Sequence, residues 1–239
     1  MIMKFVTMKT KKEIKPKFTC EFCKKQYTRE QTLINHLCEY KDRWLSKDTK
    51  TNKLAFQVFL HFYQAYATIK KKYAYDDFMR SPYYTAFVKF ARYCIDSQVI
   101  NTTAYVAWLL KNKIKIDSWY KDNNYTLFLY EYVLTENAMD ALRRSINHTM
   151  DLAEEMEIQP KDVLRYGNPN KIAYAITAAK ISPWLLYHSK SGLEFLDKAE
   201  GDILKIILDY IEPNKWAERF KKYPDDVIAV KGILHDAGY

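Results

Sequence analysis

Four residues constrain this chain more than anything else in it. Cys20 and Cys23 stand as C-x2-C, twelve residues follow, and His36 and Cys38 close the stretch as H-x-C. Three of the chain's four cysteines therefore fall within nineteen positions. Two thiolates on one tight turn can reach the same ion, and tetrahedral Zn2+ takes four nitrogen or sulfur ligands. A segment this short buries too little apolar surface to fold alone, so the ion has to supply the stability.

The residues between the ligands fit the same reading. Phe18, Tyr27 and Leu33 are spaced to form a small apolar core around the metal. Thr28 and Gln31 form a T-x-x-Q capping box, which predicts a helix from about Arg29 carrying Leu33 and His36 on one face. Phe18, Cys20, Cys23, Tyr27, Leu33 and His36 together resemble the two-Cys, two-His zinc-finger family. In that family a second His follows the first by four to six positions, where this chain has Tyr40, Lys41 and Asp42. Cys38 comes only two residues after His36, nearly opposite it on an ideal helix, so its ligation requires the helix to stop or unwind just after His36. Glu39, or His61 from the next helix, is an alternative fourth ligand. Cys38 also reads as a small buried hydrophobe. The remainder of the chain resembles uncharacterised proteins of tailed phages of marine bacteria, through Arg165–Asn170 (RYGNPN) and Lys180–Trp184 (KISPW). That likeness implies a viral origin and no particular activity.

Charge is distributed unevenly. The first fifty residues hold 13 Lys+Arg against 6 Asp+Glu, and the remaining 189 hold 25 against 23. Such a basic N-terminus suits a polyanion, because lysine and arginine neutralise phosphates and release counterions. It reads equally as a solvated tail that aids solubility. No apolar run reaches the length of a membrane span, and residues 1–17 lack the apolar centre of a signal peptide. A soluble, cytoplasmic protein is expected, in the host cytoplasm if it is phage-encoded. Clustered cysteines with Cys94 left single fit a reducing compartment.

The organisation expected from the chain is a basic, disordered tail (1–17), a zinc finger (18–44), a linker (45–53) and an all-helical domain (54–239). Only five glycines stand in the whole chain, which disfavours a loop-rich or all-β fold. Apolar periodicity predicts helices over Leu54–Lys72, Tyr83–Ser97, Thr102–Asn112, Tyr125–Leu134 (where a strand is the alternative) and Glu136–Glu157. The last carries a stripe of Ala138, Leu142, Ile146, Met150 and Ala153. In the C-terminal third the prolines read as helix starts. They open helices over Pro160–Tyr166, Pro169–Ala179, Pro183–Ser189 and Pro213–Tyr223, with two more over Asp202–Ile211 and Asp225–His235. The fold class is all-α, with the finger in front.

Counted as in two-Cys, two-His fingers, the groove-facing helix positions are Arg29, Thr32 and Asn35, with Gln31 beside them. All can hydrogen-bond to base edges, while Lys24 and Lys25 sit where phosphate contacts form. DNA or RNA is the expected partner, together with another protein that the helical body docks onto in replication, transcription or packaging. The competing reading is an interaction or virion-assembly protein whose finger is a structural clip or a docking surface. No catalytic constellation stands out. The adjacent acidic pairs Asp76–Asp77, Glu154–Glu155 and Asp225–Asp226 point apart on a helix, and Gly167–Asn170 lacks the Lys-Ser/Thr of a phosphate loop. The chain is read as a non-enzyme, and its oligomeric state is left open.

Overall fold

The computed structural model describes residues 18–66 and 72–239. The basic tail expected over 1–17, and residues 67–71 of the helix expected over Leu54–Lys72, lie outside the described residues. The described chain is all-α, with fifteen α-helices, two 3-10 turns and one two-stranded hairpin. It forms two compact units, the first ending at Ser97 and the second being Gln98–Tyr239.

The first unit begins with strands β1 (Phe18–Thr19) and β2 (Gln26–Tyr27), paired antiparallel with Phe18 opposite Tyr27. Helix α1 (Glu30–Ile34) and helix α2 (Glu39–Leu45) follow, then α3 (Lys50–Tyr66), α4 (Tyr75–Met79) and α5 (Tyr84–Asp96). Residues 45–53, read from sequence as a linker, hold the end of α2 and the start of α3. Helices α3 and α5 pack together through an aromatic cluster. Phe59 and Phe78 have ring centroids 5.4 Å apart, and Phe59 meets Phe87 edge-on at 5.7 Å. All three rings are buried, as are Phe90 and Ala91 on α5. This placement follows from the spacing of Ala55, Val58 and Phe59 on one face of α3.

The finger region is fastened to this cluster within the same unit. Arg43 on α2 donates Nη1 to the Met79 carbonyl at 2.6 Å, and the Tyr75 hydroxyl donates to the Arg43 carbonyl at 2.9 Å. Trp44 meets Tyr75 edge-on at 6.0 Å. Arg80, just past α4, donates Nη2 to the Phe22 carbonyl at 2.9 Å, between the two cysteines of the C-x2-C turn. Asn52 is buried and donates Nδ2 to the Ser46 carbonyl at 2.9 Å, closing the bend between α2 and α3.

The second unit contains α6 (Thr102–Lys111), α7 (Asp122–Tyr132), α8 (Ala138–Met156), α9 (Val163–Tyr166), α10 (Pro169–Thr177), α11 (Pro183–His188), α12 (Lys190–Lys198), α13 (Gly201–Ile211), α14 (Pro213–Lys222) and α15 (Pro224–Asp236). Short side chains cap these helices as their chemistry demands. Asn101, Asn137, Asn168 and Ser182 each accept backbone N–H groups from the first turn of the helix that follows. Prolines at the first turn of α10, α11, α14 and α15 start helices, as expected. One aromatic cluster joins α6 to α7, with Tyr105 and Phe128 centroids 4.9 Å apart. A second gathers Trp184, Trp216 and Phe220, and the Arg219 guanidinium lies 5.0 Å from the Trp216 ring centre.

Helix α8 buries Ala138, Leu142 and Ala153 of the expected stripe, but the buried face extends to one side of it. Ala141, Ser145 and Thr149 are inside, whereas Met150 is exposed. Small residues let α11 approach closely on that side, and Ser145 is satisfied twice. Its hydroxyl donates to the Ala141 carbonyl at 2.9 Å and accepts the Ser182 N–H at 2.7 Å. Among the described residues no helix is long and apolar enough to cross a membrane.

Candidate metal centre

The ligand atoms of Cys20, Cys23, His36 and Cys38 all lie within 4.8 Å of one another. The Cys20 and Cys38 Sγ atoms are 3.7 Å apart, and Cys23 Sγ is 3.8 Å from His36 Nε2. These separations can be tested against zinc. With Zn–S bonds of about 2.3 Å, a tetrahedral ion sets its ligand atoms about 3.8 Å apart. The observed separations match that edge and exclude a disulfide, in which the sulfurs would be about 2.05 Å apart. Three thiols and one imidazole are also the soft donor set that zinc takes. The four residues therefore fit a zinc ion, which His36 would meet through Nε2.

The local backbone explains the convergence. Cys20 and Cys23 are on the turn between β1 and β2. The turn is closed by Cys20 N–H to the Lys25 carbonyl at 2.9 Å and Lys24 N–H to the Cys20 carbonyl at 3.0 Å. Lys24 takes the left-handed conformation, φ 60°, at the position where glycine is the easier fit. Helix α1 ends at Ile34, one residue earlier than Asn35 and two before His36. His36 and Cys38 thus sit on the connection between α1 and α2, and Cys38, with extended backbone (φ −111°, ψ 100°), is the N-cap of α2. Freed from the 100° step of a helix, the two side chains of H-x-C can turn to the same ion, and their ligand atoms lie in the one cluster. This corrects the expectation that the finger helix carries His36. The capping box is also absent: Arg29 caps α1 with no side-chain bond, and Gln31 instead donates to Asn35 Oδ1 at 3.1 Å. Neither alternative ligand joins the group; Glu39 pairs with Arg43, and His61 lies outside the cluster.

Electrostatics favour thiolate at one corner. Burial works to raise the Cys20 thiol, but N–H groups of Cys23 and Phe22 and the His36 ring hold it down at about 6. Burial pushes the Cys38 thiol up, and the neighbouring Cys20 and Cys23 sulfurs add to this. Two thiolates with no cation between them repel, which is the situation an ion relieves. Burial and the same three sulfurs raise the Tyr27 hydroxyl. The Tyr27 ring stacks on His36 at 5.0 Å and so fixes the imidazole plane.

The six residues expected to face nucleic acid, Lys24, Lys25, Arg29, Gln31, Thr32 and Asn35, are all exposed. Lys24 and Lys25 lie on the hairpin turn, Gln31 and Thr32 on α1, and Arg29 and Asn35 cap its two ends. At five residues, α1 is about 7.5 Å long, much shorter than the reading helix of an ordinary finger. Two exposed apolar residues stand beside them: Ile34 at the end of α1, and Leu37 between two ligands at 98% exposure. Leu37 was not singled out from sequence, because its spacing looks like a continuation of the helix. No protein-family model, curated protein or solved structure matches the chain.

Proposed function

We propose that this is a nucleic-acid-associated accessory protein whose zinc finger and basic first unit engage DNA or RNA. The observation that carries the reading is where the charge lies. Residues 1–97 hold 20 Lys+Arg against 9 Asp+Glu, and residues 98–239 hold 18 against 20. All of the chain's excess of +9 thus belongs to the part that contains the metal site. Lys24, Lys25 and Arg29 extend that charge onto the exposed side of the finger, where phosphate contacts position a protein without reading sequence. A single finger whose helix is five residues long offers few base contacts, so the binding is weakly sequence-selective. The near-neutral second unit is the part that docks onto a protein of a replication, transcription or packaging assembly, the roles that fit a phage-encoded chain.

A second reading has its own support. The Arg80 bond to the Phe22 carbonyl and the Trp44–Tyr75 contact tie the finger to α4, as a structural clip requires, and exposed Leu37 suits a protein partner. Fluorescence anisotropy on short DNA and RNA, repeated over a range of salt, separates the two. Binding should weaken steeply as salt rises, and reversing Lys11, Lys12, Lys15 and Lys17 should flatten that slope. Arg29→Ala with Asn35→Ala should change discrimination between sequences only slightly. No binding even at low salt would refute the proposal and leave the clip.

A further inference from the structure

A polar cleft of about 510 Å3 opens in the second unit, beside α8. One wall is α8 itself, where Arg143, Asn147 and Asp151 recur every four residues and His148 stands three before Asp151, so that they flank one face. The facing walls bring Lys180, from the turn between α10 and α11, and Gln98, at the start of the unit.

The cleft is built on a buried ion pair. Glu136 has a side chain only 1% exposed, and Arg144 grips it through both terminal nitrogens at 2.7 and 2.8 Å. The third nitrogen of the same guanidinium, Nε, donates to the Ala179 carbonyl at 2.6 Å. Ala179 precedes Lys180, and the Ser182 N–H is fixed on Ser145 just beyond it. The turn carrying Lys180 is therefore held against α8 on both sides. A bidentate pair of this kind is costly to bury and gives geometry rather than net stability, which suits a site that must be preorganised.

Of the polar groups facing the cleft, Asn101 and Tyr132 bond each other at 2.9 Å, and those on and opposite α8 keep free capacity. Asn147, His148 and Asp151 have no side-chain hydrogen bond or ion pair to protein among the described residues. The Lys180 ammonium is met at 2.8 Å by a neutral partner, the Gln98 amide oxygen. Arg143 reaches Asp140 at 3.3 Å, but both side chains are more than half exposed, so that contact is weak and exchangeable. Burial and Lys180 lower the His148 imidazole from its ordinary value against the pull of Asp151, and a neutral ring still donates through one nitrogen.

We propose that this cleft binds a small phosphate monoester, its phosphate on Arg143, Lys180 and His148 and a ligand hydroxyl donating to Asp151. Guanidinium, ammonium and imidazole donors lining one cleft are the groups that recognise a phosphate dianion. A divalent cation fits less well. Among the described residues the one group of His, Cys, Asp or Glu close enough to share an ion is the cysteine–histidine cluster of the finger. A nucleic-acid backbone fits less well too, because residues 98–239 carry more acidic than basic side chains. The inference stands independently of the finger.

The test is a proton NMR titration of the full-length protein, reading the His148 imidazole resonance, which His148→Gln assigns among five histidines. Inorganic phosphate and ribose 5-phosphate are the probes, with sodium chloride at matched ionic strength as the control. Both probes should shift the His148 signal saturably, with ribose 5-phosphate the tighter. Arg143→Gln and Lys180→Gln should each weaken both probes by at least about tenfold, the loss of one charged hydrogen bond. Asp151→Asn should weaken ribose 5-phosphate alone. Arg143 is 71% exposed, so its replacement leaves the fold intact. Absence of a saturable shift overturns the proposal, as does a shift that survives Arg143→Gln and Lys180→Gln unchanged.

Discussion

The buried pair Glu136–Arg144 lends itself to a quantitative test. Burial pushes the Glu136 carboxyl up from its usual range despite two hydrogen bonds from Arg144, so its desolvation outweighs the attraction of its partner. Glu136→Ala then leaves the Arg144 guanidinium, itself only 20% exposed, without a counter-charge. Loss of one partner of such a pair costs about 3–5 kcal/mol. Arg144→Met removes both hydrogen bonds to the carboxylate, leaving it only the Arg219 charge, and also frees the buried Ala179 carbonyl, which adds about 1–3 kcal/mol. Replacing both, Glu136→Leu with Arg144→Met, removes both charges and leaves only the carbonyl unsatisfied. The double variant should therefore cost about 1–3 kcal/mol, less than either single charge deletion taken with its stranded partner. Urea denaturation followed by tryptophan fluorescence measures all three, since Trp119, Trp184 and Trp216 are fully buried in this unit. Costs that simply add, or a Glu136→Ala protein within about 1 kcal/mol of the native one, would refute the reasoning.

Two further outcomes follow from single residues. His148 and His188 are both held below the ordinary 6.5 by burial, so the native state resists a proton that the unfolded chain accepts. Stability of this unit should be full above pH 6.5 and fall as the pH drops below it, and His188→Gln should flatten the decline in thermal melts. Gly192 at the start of α12 has no room for a side chain: a Cβ there would lie 2.3 Å from the Leu186 carbonyl oxygen. Gly192→Ala should destabilise by about 1–3 kcal/mol in the same urea assay, because backbone rather than a flexible side chain must move.

Much of the architecture was legible because caps and prolines mark helix starts directly. Asn101, Pro169, Pro183 and Pro213 each stand within a residue of a helix start. What was missed has physical reasons. Helix α12 carries Gly192 two residues in, which lowers its intrinsic propensity, and only close packing against α11 rewards it. Helices α2 and α4 are short and polar in sequence, and their stability comes from tertiary contacts such as Arg43 to the Met79 carbonyl. On α8 the apolar members Ala138, Leu142 and Ala153 were legible, whereas Ser145 and Thr149 look solvent-facing by polarity. Their hydroxyls are satisfied by backbone carbonyls of the same helix, which lets them be buried. The metal ligands were visible in their spacing. The break at Ile34 that lets Cys38 join them was legible only as a requirement. The cleft beside α8 left no mark in sequence spacing, because Lys180 and Gln98 meet α8 only through the fold.

The account rests on the four-residue centre, and native mass spectrometry of protein purified without added zinc tests it most directly. One zinc ion per chain is predicted, lost in Cys20→Ser and in Cys38→Ser, and slow to leave under a mild chelator because structural zinc is held by about 10–16 kcal/mol. A metal-free chain whose finger amides remain protected from hydrogen exchange would contradict it.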